Sequence, residues 1–284
     1  GYHFFNGFLH AVNSILLLLL VRSLGLGGQV AFVAALLFAV HPLNSEVVHY
    51  ASSRSEALMA SFFLAACWAY LRYAASGDWK WYGVALCGAG LAMLCKSVAV
   101  VLVFVLPLCD WFSGLDPLRR RWKYLPFAGL ALAYVVFTWQ FVSKALALPV
   151  RPMDVQLLTQ IKGALYYLLL GTFPVDLSVE HQFFSSSSIW EPAVLGAGLC
   201  LCSLAWIVGR SHWRAPIFAI AWVVLLLAPT FVVPLIVLVN EHRLYLPLAG
   251  WCVLLGWLVG PLLLRGHRVA ISGLAVYTIM LSIL

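Results

Sequence analysis

The sequence predicts an all-α protein that crosses a membrane many times. Of its 284 residues, 64% are hydrophobic and 10% are charged, and the mean hydropathy is +0.99. In a water-soluble domain about a quarter of the residues are charged, so the apolar excess of this chain must face lipid. Continuous apolar runs such as 15–21 and 98–108 fit membrane helices. At about 20 residues per span, the chain forms a single transmembrane domain over 1–284 with roughly ten helices.

The apolar runs between charged residues, glycines and prolines give the spans in order. We expect them at 2–22, 26–42, 56–73, 81–95, 97–113, 125–142, 190–209, 216–234, 245–264 and 268–284. The segment 156–173 is ambiguous, because Gln156, Gln160 and Lys162 make its first half polar. It could span the membrane or lie in the interface.

The basic residues decide between these two possibilities. If 156–173 does not span, eleven of the 17 Lys and Arg residues lie on one side and six on the other. If it spans, with Lys162 inside the membrane, the split is eight against eight. The positive-inside rule therefore predicts an interfacial helix in a long outer loop at 143–189. The net charge of +7 then reflects the excess of basic residues on the inner side of the membrane, and no nucleic-acid partner is expected.

The seven cysteines lie in apolar stretches, without a CxxC pair or a histidine at metal-ligand spacing. We interpret them as small core residues and not as disulfides or zinc ligands.

Four polar segments on the predicted outer side could carry chemistry. In the first, 41–56, Pro42 should end the preceding helix, and Asn44 or Ser45 could cap a short helix. Its spacing would place a carboxylate and two aromatic side chains, those of Glu46, His49 and Tyr50, on one face. Ionisable groups at membrane level are costly to keep without a use, which favours function over a solvated loop helix.

The other segments are weaker individually. Lys96 stands between two spans and could contact a phosphate or snorkel to the headgroups. Glu180 and His181 lie in the long loop and could be ordinary solvated residues. Arg243 follows His242 at the start of a span, as a phosphate ligand or an interfacial anchor. Together the segments predict one outer cavity, lined by Glu46, Glu56, Glu180, Arg54, Lys96 and Arg243.

Carboxylates mixed with cations at the outer boundary suit the transfer of a group from a phosphorylated lipid. The cations would hold the phosphate, and a carboxylate would deprotonate the acceptor or hold a divalent cation. The alternative is a non-catalytic membrane protein that binds a lipid or acts as a scaffold. A secondary transporter is disfavoured, because the two halves show no internal repeat.

Several motifs resemble one family in matching order along almost the whole chain. They are Gly1-Tyr2-His3-Phe4-Phe5-Asn6 with His10 and Asn13, His41-Pro42 with Glu46, Arg54 with Glu56, Cys95-Lys96-Ser97, Phe173-Pro174 with Leu177-Ser178-Val179, and Arg243-Leu244-Tyr245-Leu246-Pro247. The chain resembles the membrane half of the transmembrane and tetratricopeptide-repeat O-mannosyltransferases and their bacterial relatives. These belong to the C-type superfamily of polyprenyl-phosphate-dependent glycosyltransferases.

The resemblance implies transfer of a hexose, typically mannose, from a polyprenyl-phosphate-linked sugar donor to a hydroxyl of a protein or glycan, with inversion. It makes Glu46 and Glu56 the catalytic carboxylates of this chain. It assigns binding of the lipid phosphate or sugar to a larger set, which comprises His41, Arg54, Lys96, Glu180, His181, His242, Arg243 and Tyr245. It also implies a site that faces outward, and we expect a bacterial inner membrane with the site toward the periplasm.

The sequence departs from the family pattern in three ways. The family's leading carboxylate lies in a first outer loop, which we expect upstream of Gly1, so the chain is expected to be truncated at both ends and inactive as given. Ser97 and His242 stand where many relatives have acids, so a bound metal is an open question. No tetratricopeptide repeats occur in the chain.

Overall fold

The computed structural model describes residues 2–147, 149–175, 177–178, 181–234 and 236–283, and these residues form helices and connecting loops without a strand. The helices are α1 (Tyr2–Ser23), α2 (Gly28–Val40), α3 (Ser45–His49), α4 (Arg54–Ser76), α5 (Trp79–Cys95), α6 (Leu102–Phe112), α7 (Leu125–Ala147), α8 (Met153–Thr172), α9 (Pro192–Arg210), α10 (Arg214–Val232), α11 (Tyr245–Leu264) and α12 (Arg268–Ile283). The predicted all-α class is confirmed.

Each predicted span coincides with one of these helices, within a few residues at its ends. In the described part of the chain, α1, α4, α9, α10 and α11 are long and apolar enough to cross a membrane. The bent pair Gly28–Val40 and Pro42–His49 could provide a sixth span. The protein is therefore a helical membrane protein with five or six candidate spans.

The boundaries follow from local chemistry. Gly77 ends α4 with a φ of 73°, a conformation that favours glycine, and Asp78 then caps α5 by accepting the Lys80 N–H at 2.9 Å. Pro42 follows the end of α2 as predicted and begins a short 3-10 turn, Pro42–Asn44.

The prediction for the short helix after this turn is wrong in two respects. The Asn44 side chain does not cap α3 but donates to the Phe38 carbonyl at 2.6 Å. Within and after α3, Glu46 is buried, whereas His49 and Tyr50 are exposed, so the three do not share a face. Tyr50 already has extended backbone beyond the helix end, which breaks the assumed helical spacing.

The centre of the fold is the close packing of α2 against α11. A methyl group on Gly256 would stand 2.7 Å from the Val30 carbonyl oxygen, and one on Gly260 would stand 3.0 Å from a Val30 methyl. The two glycines are four residues apart on one face, the arrangement that lets membrane helices approach closely. This contact brings the start of α11 beside the end of α2, where the polar segments meet.

Helix α8 covers the ambiguous segment and turns its polar residues toward the protein. Gln156, Thr159 and Gln160 are buried, whereas Leu157 and Leu169 are about half exposed. Gln156 donates to the Thr230 carbonyl at 2.8 Å. Its polar half is thus explained by contacts with the protein and not by headgroups or water.

The opposite end of the bundle holds a second polar cluster. Asp110 is fully buried, and its Oδ2 accepts from the Tyr70 hydroxyl at 2.7 Å, the Tyr124 hydroxyl at 2.6 Å and Arg120 Nε at 2.9 Å. This cluster ties the predicted inner loop to α4 and α6.

All seven cysteines are free, as predicted. The expectation that they are core residues holds for Cys67, Cys109 and Cys252 but is wrong for Cys87, Cys200 and Cys202, which are exposed. An outward face of a membrane helix is also apolar, so hydropathy alone does not separate the two positions.

Candidate functional site

Two buried carboxylates, a lysine and a histidine meet at the end of the bundle that the sequence predicts to face outward. His242 donates from Nδ1 to Glu46 Oε1 at 3.0 Å, and its Nε2 lies 4.0 Å from Glu56 Oε1. The Lys96 ammonium donates to the same Glu56 oxygen. Glu46 and Glu56 are 7% and 3% exposed, so each carboxylate relies on these partners in place of water.

Two cavities adjoin at these residues. Glu56, Lys96 and His242 line both, and we call them the shared wall. One cavity, of about 240 Å³, is called the apolar cavity for its Met, Val, Leu and Pro side chains; it is lined in addition by Met59, Ser97, Val98, Leu226, Pro229, Thr230, Val233, Arg243, Leu246 and Pro247. The other, of about 290 Å³, is called the polar cavity because each of its lining residues has a polar side chain; it is lined in addition by Glu46, Tyr50, Ser52, Ser53, Ser55 and Asn240.

Arg243 adds a guanidinium group to the lining of the apolar cavity. Its guanidinium donates to the Val237 carbonyl at 2.9 Å and the Leu238 carbonyl at 3.3 Å. Arg151, from the loop before α8, donates to the neighbouring Ile236 carbonyl at 3.2 Å. Burial, reinforced by the charge of Arg243, lowers the pKa of Arg151. Two guanidinium groups on consecutive carbonyls make this edge of the site electropositive.

Helix α1 holds the carboxylate-bearing segments through three polar side chains at i, i+4 and i+7. Asn6 donates to the carbonyls at the end of α3, at 3.2 Å from both Val48 O and Tyr50 O. Asn13 donates to the Ala57 carbonyl at 3.0 Å, directly after Glu56. The third residue of this ladder, His10, bonds to the first residue of α11, as described next.

Tyr245 links the ladder to the turn that carries His242 and Arg243. Its hydroxyl donates to His10 Nδ1 at 2.9 Å and accepts from Asn13 Nδ2 at 3.0 Å, while His10 Nε2 donates to the Ala39 carbonyl at 3.1 Å. Tyr245 is 1% exposed and lines neither cavity. Its position is that of a support for the site.

The outer loop reaches the same turn, Glu241–Leu244, which we call the site turn. His181 donates from Nε2 to Glu241 Oε1 at 2.8 Å, and the Tyr166 hydroxyl donates to His181 Nδ1 at 3.0 Å. The Ser178 N–H donates to the same Glu241 oxygen at 2.6 Å. The long loop is therefore fastened beside the site through His181 and Glu241.

The structure brings Glu46, Glu56, Lys96, His242 and Arg243 together, as the sequence predicts. Because Lys96 pairs with Glu56, it does not snorkel.

Three other predicted site residues lie elsewhere. His41 is buried and bonds to the Gly171 carbonyl at 3.2 Å and the Leu43 N–H at 3.3 Å. Arg54 lies over the Phe5 ring, 5.6 Å from its centre, outside the lining of either cavity. Tyr245 is a support, and Glu180 lies outside the described residues.

Sequence reasoning missed two groups of residues. Asn6 and Asn13 enter the sequence analysis only as motif residues. With His10 they are spaced i, i+4 and i+7 on an apolar helix, a pattern that predicts a buried polar face. Glu241 and Tyr166 carry no such signal, because they are linked only through His181, which lies 15 residues after Tyr166 and 60 residues before Glu241.

A metal centre finds no ready ligand set. Within the described ranges, no group of three His, Cys, Asp or Glu side chains is arranged to hold a metal ion. The natural candidates, Glu46, Glu56 and His242, contact one another, and Glu56 also contacts Lys96.

The fold and the site together define a class: a helical membrane protein with a buried, ion-paired site at one end of its bundle. The model of the dolichyl-phosphate-mannose-protein mannosyltransferase family matches residues 3–139. Over these residues the chain is similar to this O-mannosyltransferase family. The matched part includes both carboxylates and Lys96 but not the site turn.

The curated proteins that the chain matches are also named as O-mannosyl-transferases. The chain is 32% identical over 113 residues to protein O-mannosyl-transferase Tmtc1 of Drosophila melanogaster, covering 40% of this chain and 13% of the relative. It is 35% identical over 106 residues to protein O-mannosyl-transferase TMTC3 of Homo sapiens, covering 36% and 12%. The chain thus spans only a small part of the length of the relatives it matches. No solved structure matches it significantly.

Proposed function

We propose that the protein transfers a hexose, mannose or a close analogue, from a polyprenyl-phosphate sugar to a hydroxyl acceptor at the outer face of a membrane. The observation that carries this proposal is that an arginine-bearing cavity with apolar side chains and a cavity lined by polar side chains adjoin at Glu56, Lys96 and His242. A lipid-linked sugar is divided in the same way, into an apolar chain with a charged phosphate and a hydroxylated sugar. The printed names of the family and of its relatives supply the reaction class.

The donor fits the apolar side. Arg243 presents a planar, permanently charged fork that suits a phosphate, and Lys96 adds a point charge from the wall. A nearly apolar groove of about 480 Å³ between α8, α9, α10 and α11 offers room for part of an isoprenoid chain. The two cations would also stabilise the lipid phosphate as it leaves.

The acceptor hydroxyl needs a base, and the buried carboxylates Glu46 and Glu56 are the candidates of this chain. Displacement from the side opposite the phosphate inverts the sugar carbon. A divalent cation remains a prediction, and no step of this mechanism requires one. The resemblance also implies a further catalytic carboxylate in a first outer loop, so transfer is tested with the full-length protein.

The finer assignments remain predictions: ten spans, a C-type arrangement, a bacterial inner membrane with a periplasmic site, and a protein or glycan as acceptor. The alternative, a non-catalytic lipid-binding or scaffold protein, predicts donor binding without turnover.

The experiment is transfer by the full-length protein in proteoliposomes that contain dolichyl-phosphate [³H]mannose, with serine- and threonine-containing peptides as acceptors. Arg243→Ala should lower kcat/KM by about 100-fold or more, since a charged hydrogen-bonding partner is lost. Arg210→Ala, an exposed arginine at the end of α9, is the matched control. Donor binding without transfer by the wild type would favour the alternative, and equal rates for the two variants would refute the role of Arg243.

A further inference from the structure

Three consecutive carbonyl groups near the apolar cavity are held by two arginines. They belong to the segment 236–238, which we call the strap and which lies between α10 and the site turn. Arg243 donates to the last two of these carbonyls at 2.9 and 3.3 Å, and Arg151 donates to the first at 3.2 Å. The strap therefore brings two guanidinium groups to one short stretch of backbone.

Arg151 comes from the loop before α8 and is fixed at a second point. Its Nη1 donates to Gln156 Oε1 at 2.6 Å. The Gln156 side chain is fully buried and donates in turn to the Thr230 carbonyl at 2.8 Å. Thr230 lines the apolar cavity, as Arg243 does. Arg151 is thus fastened both to the strap and, through Gln156, to the lining of this cavity.

The two guanidinium groups also interact through their charges. Burial lowers the pKa of Arg151, and the charge of Arg243 lowers it further. Both groups stay charged at neutral pH, because the pKa of an arginine lies far above 7. Among the ion pairs of the described residues, none includes Arg243, whereas Lys96 pairs with Glu56. This edge of the apolar cavity therefore carries positive charge that a bound anion would balance.

The proposed transfer changes the charge of the lipid phosphate. The acceptor oxygen bonds to the sugar C1 as the bond from C1 to a phosphate oxygen breaks, the electron pair stays with the phosphate, and the acceptor proton passes to a carboxylate base. A phosphodiester with one negative charge thereby becomes a phosphate monoester, whose second pKa of about 6 gives it nearly two charges at neutral pH. A group that attracts the second charge speeds the reaction, because it stabilises the transition state more than the bound donor.

We propose that Arg151 is a positioning residue that adapts this edge of the apolar cavity to the doubly charged leaving phosphate. It holds the strap that orients the fork of Arg243, and its own fixed charge adds to the attraction for the second negative charge. This inference rests on the proposed function. It predicts a site that distinguishes a phosphate monoester from a phosphodiester of the same lipid.

The first test measures the binding of a polyprenyl phosphate and of its methyl ester, which carries one charge, to the full-length protein in nanodiscs. Near neutral pH, the wild type should bind the monoester about tenfold or more tightly. Arg151→Gln should reduce this preference by about fivefold, whereas Arg151→Lys, which keeps the charge, should retain most of it. Lys144→Gln, which removes an exposed charge at the end of α7, is the matched control and should leave the preference unchanged. Equal preferences in the wild type and Arg151→Gln, or equal losses in the Gln and Lys variants, would overturn the inference.

The wild type alone provides a second test, which holds even if Arg151→Gln does not fold. At about pH 5 the monoester carries a single charge, because it is protonated below its second pKa. Its affinity should then approach that of the methyl ester measured at the same pH, a comparison that corrects for titration of the protein itself. A preference that persists unchanged at this pH would contradict selection by charge.

Transfer kinetics separate this role from simple structural support. Arg151→Gln should lower kcat by about tenfold and change the donor KM by less than about threefold, because the second charge develops only as the phosphate leaves. A higher donor KM at an unchanged kcat would show that Arg151 serves donor binding alone and would refute the inference. If the wild type prefers the monoester but transfers no mannose, the proposed function fails while the charge preference stands.

Discussion

The hydroxyl of Tyr245 shows how one atom can support a site that it does not touch. It joins His10 and Asn13 on α1 to the first residue of α11, one position beyond the site turn. Its loss would leave Nδ1 of the half-buried His10 without this partner and reduce the buried Asn13 amide to a single acceptor. Water cannot readily replace the bond to Asn13, because that side chain is fully buried.

Tyr245→Phe should therefore lower the free energy of unfolding by about 1–3 kcal/mol, as expected for an unsatisfied buried polar group. Denaturant titration of the purified protein in detergent would measure this change in the free energy of unfolding. Tyr134→Phe, whose hydroxyl makes no hydrogen bond to the described residues, is the control and should change stability by less than about 0.5 kcal/mol. An equal effect of the two substitutions would contradict the role of Tyr245.

At the level of elements, the position of α11 against α2 depends on Gly256 and Gly260. The atom nearest to a methyl on Gly256 is the backbone oxygen of Val30, which cannot rotate away as a side chain could. Alanine favours a helix by up to about 1 kcal/mol over glycine. Overpacking costs about 1–3 kcal/mol, so the steric term outweighs the propensity term.

Gly256→Ala is accordingly expected to lower the free energy of unfolding by about 1–2 kcal/mol net. Gly196→Ala in α9, where a methyl meets nothing within 4 Å, should be neutral or slightly stabilising. Thermal unfolding in detergent would compare the pair. A lower melting temperature for Gly196→Ala than for Gly256→Ala would refute the close contact.

The elements were more predictable than the site. Hydropathy located the helix of each predicted span, because a membrane segment needs a long apolar run whatever its neighbours are. The same signal placed Lys96, Glu56 and Arg243 at helix ends on one side. Hydropathy does not distinguish His242 from His41. His242 bridges two carboxylates, whereas both ring nitrogens of His41 bond to backbone, and this difference lies in contacts between distant segments.

For the whole molecule, two polar clusters lie at opposite ends of the same helices. Glu56 and Tyr70 are separated along α4 by roughly 21 Å at 1.5 Å per residue. One cluster faces two cavities, and the other, around Asp110, binds the loop with Arg120. We infer that chemistry and stability are divided between the two ends.

Asp110→Asn should thus lower the free energy of unfolding by about 3 kcal/mol, since a buried charge pair loses one partner. It should leave kcat of the folded fraction within about twofold of wild type, because additivity holds for distant sites. Unfolding and transfer would be measured on one preparation, beside Glu46→Gln. A loss of kcat in Asp110→Asn as large as in Glu46→Gln would show that the two ends are coupled.

The inward polar face of α8 sets an order of assembly. Gln156 bonds to Thr230, Thr159 accepts from the Ser186 N–H at 2.9 Å, and Tyr167 accepts from the Asn240 N–H at 3.0 Å. Every one of these partners follows α8 in the chain. While the protein is being synthesised, these three bonds cannot form until their partners have emerged, so α8 is fastened to the long loop, to α10 and to the segment before α11 only after its own synthesis is complete.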